Sequence, residues 1–230
     1  EHESAGRFIP ITQIKESVDL TKFITEMIPL LHLESKQAEP IKYIISELAR
    51  NVLEHSLSTS GAILSAQYYK KSNSIRIGIV DTGVGIKKTI DQSYSTKNDL
   101  EAIKLALIPG ITGTTKKEGG TEFNAGAGLF FIKSIANVNR DYFMIYSGNA
   151  MYKLLKNKPQ KKRIHLHADP FKDRHSKNNN FPYWQGTAVG IDISLDTTKE
   201  FSILLSLIRE AYSEAVKERK KAKYREPKFI

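Results

Sequence analysis

The stretch SIRIGIV at residues 74–80 places isoleucine at every second position, with serine, arginine and glycine between. Side chains alternate faces along a strand, so this segment is a half-buried strand with one apolar side. Residues 62–69, AILSAQYY, form a second strand, joined to the first by the turn-prone KKSNS. Ahead of the pair, residues 39–57 carry Ile44, Ile45, Leu48 and Val52 at helical spacing. That is a long amphipathic helix, with Pro40 suited to its first turn. A helix with one apolar stripe, next to strands with one apolar face, points to helices laid against one side of a sheet.

The other elements extend this pattern. RFIPITQI (7–14) reads as a strand whose early proline belongs at a sheet edge. Residues 16–31 read as a helix with Val18, Phe23, Met27 and Leu30 or Leu31 on one face. Residues 87–125 are polar, glycine-bearing and poorly periodic, apart from a short helical piece around 100–107. GLFFIKSIANV then opens a helix directly on a glycine, and DYFMIYSGNAMYKLL reads as a hairpin turning at Ser147, Gly148 and Asn149. After a polar, basic insertion, TAVGIDISL is an alternating strand, and FSILLSLIREAYSEAV closes as an amphipathic helix leading to a basic tail. The expected fold is α+β: a two-layer α/β sandwich, with a mixed, mostly antiparallel sheet and helices on one face.

Composition narrows the chemistry. With 40% hydrophobic and 26% charged residues the chain is an ordinary globular one, and no apolar run reaches the ~18 residues of a membrane span. It has no cysteine, which excludes disulfides, thiolate zinc sites and a cysteine nucleophile, and is compatible with a reducing cytoplasm. Lys and Arg (35) exceed Asp and Glu (25) by ten, and much of the excess sits in two clusters. One is Lys153, Lys156, Lys158, Lys161, Lys162 and Arg163; the other is the terminal KERKKAKYREPKFI. Such clusters are solvated faces or sites for a phosphate-rich partner such as nucleic acid.

Four motifs carry chemistry. Glu47 and Asn51 lie four apart on the long helix, so both side chains can enter one pocket, with His55 a turn further on. A carboxamide oxygen is a hard ligand for Mg²⁺, and the acid can deprotonate a hydroxyl. Asp81-Thr-Gly83-Val-Gly85 directly follows the strand SIRIGIV. There an acid can accept a hydrogen bond from an exocyclic amine while glycines let backbone approach a flat ring. Gly126-Ala127-Gly128-Leu129 leads into a helix whose first N–H groups suit phosphate. It lacks the Gly-Lys-Ser/Thr ending of a Walker loop and the strand-adjacent position of a dinucleotide fingerprint. Gly186-Thr187 opens the last strand.

In this order the motifs resemble the GHKL ATPase superfamily, named for gyrase B, a heat-shock chaperone, histidine kinases and MutL. The resemblance spans roughly residues 40–195. It implies the Bergerat ATP-binding fold, with Mg²⁺ and ATP between the helices and a lid at 87–125. Asn51 would ligate Mg²⁺, Glu47 would act as general base, and Asp81 would bind the adenine amine with Thr187 in support. Gly83 and Gly85 would line the adenine pocket beside Ile86, and Gly126, Ala127, Gly128 and Leu129 would hold the phosphates. His55 completes the expected binding set.

Glu47 stands where histidine kinases of the superfamily carry asparagine. ISELARNVLEH instead resembles the anti-sigma-factor type of serine kinase, whose motif helix often ends in histidine. In that branch the glutamate activates a protein serine hydroxyl in place of water. The resemblance therefore implies ATP hydrolysis or phosphotransfer to a protein; an ATP-gated interaction module, with a protein or nucleic-acid partner, is the alternative. Gyrase and MutL relatives receive a lysine from a following domain, and Lys116 and Lys117 are the substitutes expected here. The expected organisation is a strand–helix extension (1–38), the ATP-binding domain (39–197, with the basic insertion at 156–182) and a terminal helix and tail (198–230). Dimerisation is compatible with all of this.

Overall fold

The computed structural model describes residues 8–113, 127–156, 166–196 and 201–224. Within them seven strands form one open sheet: β1 (Phe8–Ile14), β2 (Ala62–Tyr69), β3 (Ser74–Val80), β4 (Phe143–Gly148), β5 (Ala150–Leu154), β6 (His175–Asn178) and β7 (Trp184–Ser194). Their order is β1-β2-β3-β7-β4-β5-β6. Every described pair is antiparallel, so the expectation of a mixed sheet is corrected. The last strand, β7, enters between β3 and β4 and runs opposite to both.

The helices are α1 (Ser17–Lys22), α2 (Ser35–His55), α3 (Gly85–Ile90), α4 (Asp99–Ala106), α5 (Gly128–Asn139) and α6 (Phe201–Tyr224). They bury the sheet face that carries Leu64, Ala66, Ile75, Ile77, Ile79, Phe143, Ile145, Val189 and Ile191. Gln67, Arg76 and Gly78 on the opposite face are exposed. No helix among the described residues is long and apolar enough to cross a membrane.

Besides α3, a helix where the sequence reads as loop, three elements depart from the sequence reading. α2 begins at Ser35, so Pro40 lies inside the helix, past its first turn. The added turn is fixed by a reciprocal box in which the Glu34 and Gln37 side chains each accept the other's backbone N–H. The helix over 16–31 is broken: after α1 the chain widens into a π segment (Phe23–Met27) and tightens into a 3₁₀ turn (Ile28–Leu31). That shift buries Phe23 and Leu31 but leaves Val18 74% exposed; the side chains of Met27 and Leu30 lie outside the described ones. Thirdly, the basic insertion contributes the edge strand β6, paired to β5. It is anchored by Tyr152, whose ring stacks on Phe171 and His175 and whose hydroxyl donates to Pro170 O at 2.9 Å. A buried ion pair, Lys133 Nζ to Asp173 Oδ2 at 2.5 Å, fastens the same segment to α5.

Candidate functional site

One edge of α2 carries Tyr43, Glu47, Asn51 and His55 at four-residue intervals, away from the Ile41, Ile45 and Leu48 side that packs in the core. All four line a cavity of about 350 Å³, within the range of small-molecule sites. Its walls are apolar, from Ile79, Ile86, Ile90, Ile145 and Val189, and its polar groups gather at two ends.

At one end lies Asp81, the first residue after β3 and 2% exposed. Its N–H donates to Thr187 O at 2.9 Å, and its Oδ1 accepts from Gly83 N at 2.8 Å. Burial pushes the carboxyl above its ordinary range, and the Gly83 and Thr187 N–H groups oppose that rise. Gly186 makes the close crossing possible: its φ is +103°, and a Cβ there would sit 2.2 Å from Asp81 O.

Gly83 does not line the cavity, contrary to expectation. A Cβ on it would fall 2.0 Å from Ser56 O, so it lets the DTGVG loop lie on the end of α2. The adjacent Val84 N donates to Ser56 O at 2.7 Å. Gly85 and Ile86 do line the cavity, at the start of α3.

A residue not expected in the site holds this end together. Ser147 is 2% exposed; its hydroxyl donates to Gly186 O at 2.7 Å and accepts from Ile86 N at 3.0 Å. Thr187 Oγ1 donates to that same hydroxyl at 3.4 Å, so Thr187 lines the cavity while tied to Ser147. In sequence Ser147 reads as a turn residue. The signal was its place two and four residues after the inward-facing Ile145 and Phe143.

At the other end α2 faces the N-terminus of α5. Ala127, Gly128 and Leu129 line the cavity, and no described side chain caps the helix; Gly126 lies outside the described residues. A Cβ on Gly128 would lie 2.8 Å from Glu47 Oε2 and 3.6 Å from Asn51 Nδ2, so glycine keeps this gap open. Glu47 Oε1 accepts from Arg50 Nη1 at 3.3 Å. Burial raises the Glu47 pKa, the Arg50 guanidinium works against that and Glu54 adds to it. Asn51 Nδ2 is buried without a hydrogen-bond partner among the described residues. Such a group costs about 1–3 kcal/mol unless a ligand completes it. Either amide atom can face the cavity, because a flip exchanges them. His55 Nε2 sits 3.8 Å from Glu54 Oε2.

The described start of the expected lid, 87–113, contains the end of α3 and all of α4 and closes one side of the cavity through Thr89, Ile90, Ala106, Ile111, Thr112 and Gly113. Ser93 Oγ donates to Gly113 O at 2.7 Å, fixing that corner. Lys116 and Lys117 lie outside the described residues, as do most of the insertion's basic cluster and the end of the tail. Among the described residues no cluster of three His, Asp or Glu side chains is placed to hold a metal ion.

The site thus joins a buried acid with apolar walls to a carboxylate, an amide nitrogen unpaired among the described residues and a helix N-terminus, within one cavity. No family model matches the sequence, and a search of curated proteins finds no match.

Proposed function

We propose that this cavity binds Mg²⁺-ATP in the manner of the GHKL ATPases, on a Bergerat-type fold, and that the chain hydrolyses ATP or transfers its phosphate to a protein. The observation that carries the reading is Asn51, whose Nδ2 is buried with no hydrogen-bond partner among the described residues, set beside Glu47 at the start of α5, which no described side chain caps. A phosphate chain with its metal supplies what both the amide and the helix end lack. Few protein ligands suit Mg²⁺ in this role, since it keeps waters and binds substrate phosphates.

The chain's own groups then divide the work. Asp81 accepts the hydrogen bond of the adenine amine, with Ile79, Ile86 and Val189 against the ring. Asn51 would hold the metal and the first N–H groups of α5 the phosphates, and the metal would neutralise charge developing at the transferred group. Glu47, its proton affinity raised by burial, takes the proton of the attacking hydroxyl, from water or from a protein serine. Arg50, 3.3 Å from Glu47 Oε1, competes for that carboxylate, which is what the alternative of an ATP-gated interaction module requires.

Melting with and without Mg²⁺-ATP tests binding. At 100-fold excess over Kd a ligand adds about 2.7 kcal/mol. For a chain of this size that is a rise of about 5–10 °C. Asp81→Asn is expected to abolish it, and no rise in the wild type would overturn the proposal. Incubation with γ-labelled ATP, alone and with candidate protein acceptors, against Glu47→Ala, separates hydrolysis, transfer and gating.

A further inference from the structure

The face of the sheet opposite the helices holds a second hollow, a trough of about 910 Å³ that crosses the strands from β1 to β5. Its floor is nearly bare. Ser65, Gly78, Gly190 and Met144 lie side by side on β2, β3, β7 and β4, in one row of the register. Two glycines in the middle of central strands weaken a sheet, and nothing among the described residues requires them. Neither has a positive φ. A Cβ on Gly78 would meet no atom within 4 Å, and one on Gly190 only Met144 Cε at 3.7 Å. What the pair provides is a flat strip of backbone that a planar group can lie on.

Aromatic and cationic side chains flank the strip. On one side Arg76 lies over the Tyr69 ring at 4.2 Å. On the other, Lys153 and Lys156 lie over Tyr142 at 5.3 and 4.9 Å, and Tyr142 is 39% exposed. Arg76 pairs in register with Asp192, whose N–H bonds Tyr142 O at 3.0 Å. The two couples are therefore two strands apart, about 10 Å. Asp192 is the one carboxylate among the described lining residues, and Arg76 Nε neutralises it at 3.4 Å. Lys153 and Lys156 open the chain's first basic cluster, in a protein of net charge +10.

From this arrangement we infer that the outer face of the sheet is a binding surface for single-stranded nucleic acid. Bases lie on the glycine strip and against Tyr69 and Tyr142, and phosphates run past Arg76, Lys153 and Lys156. A flat floor with tyrosines beside it reads the exposed faces of unpaired bases, which a duplex hides. An apolar protein helix would instead ask for apolar side chains where the two glycines stand. The surface is separate from the nucleotide cavity and holds whether or not that cavity binds ATP.

Fluorescence anisotropy with labelled 15-nucleotide oligo-U and oligo-dT, and a duplex of the same length, tests the inference on the full chain. Saturable binding to single strands is expected at 50 mM salt, with the duplex at least tenfold weaker. With about three phosphates engaged, log Kobs falls against log salt with a slope near −2. Tyr142→Ala and Arg76→Gln, both at exposed positions, are each expected to weaken binding about tenfold without shifting the melting temperature. Gly190→Val, filling the strip, gives the same loss. A preference for oligo-U or for oligo-dT identifies RNA or DNA as the ligand, and either supports the inference. Absence of saturable binding, equal affinity for the duplex, or affinity unchanged in both Tyr142→Ala and Arg76→Gln would overturn it.

Discussion

Replacing Lys133 by methionine tests how the insertion is held to the body of the protein. Lys133 and Asp173 have side chains that are each 1% exposed, with Nζ 2.5 Å from Oδ2. Nζ also donates to His167 O at 3.0 Å, and Asn137 Nδ2 donates to Asp173 Oδ1 at 3.0 Å. Burial pulls the lysine's pKa below its ordinary value, and the Asp173 charge opposes that. Forming the pair therefore contributes little net stability, since desolvation offsets most of the attraction. Breaking it does not have that symmetry. Methionine fills the lysine's volume but leaves a buried carboxylate with one amide donor, at a cost of about 3–5 kcal/mol. In a domain of this size that lowers the melting temperature by about 6–20 °C. Lys133→Met combined with Asp173→Leu removes both charges and is expected to recover more than half the loss. Urea denaturation of the two single variants and the double gives the coupling energy directly. A loss below about 1 kcal/mol for Lys133→Met, or strictly additive losses, would refute the argument that the pair is interdependent.

Three further outcomes follow from the site and its surroundings. Gly186→Ala forces a side chain at φ +103° to within 2.2 Å of Asp81 O, and is expected to cost about 2–5 kcal/mol in urea denaturation and to abolish any nucleotide-dependent rise in melting temperature. Ser147→Ala deprives Ile86 N–H and Gly186 C=O of their shared hydroxyl, for a loss of about 2–4 kcal/mol by the same assay. Burial raises Asp141 from its ordinary 3.8 to about 6, so between those values the folded state binds more protons and stability falls as pH rises. Asp141→Asn, which can still accept from Ser194 N, should flatten that slope and gain about 1–3 kcal/mol at pH 8.

Much of this architecture is legible in the chain. The period-two runs at 62–69 and 74–80 coincide with β2 and β3, because each has one face in the core and one in solvent. Glu47, Asn51, Asp81, Gly128 and Thr187, singled out on separate elements, all line one cavity. The misses have local causes. Glu34 caps α2 through a reciprocal contact with Gln37, where serine or threonine is the usual cue. α3 is six residues of GIKKTI, too short and polar to show a period. β6, HSKN, has no strand pattern of its own and exists because β5 offers it a free edge. Gly83 and Ser147 act through backbone groups brought from distant positions, and such meetings leave little trace in a linear pattern.

The two ends of the sheet bear on how copies of this chain meet. At one margin β1 carries Pro10 and an irregularity between Ile9 and Thr12, so its outer row of donors and acceptors is interrupted. At the other, β6 is four residues long and includes Lys177, drawn over Phe171 at 3.7 Å. Short length, a proline, a bulge and a lysine each frustrate pairing with a strand from another molecule. An open sheet with one bare face is thereby kept from growing sideways into a continuous ribbon. Among the described residues, strand pairing between copies is disfavoured at both margins.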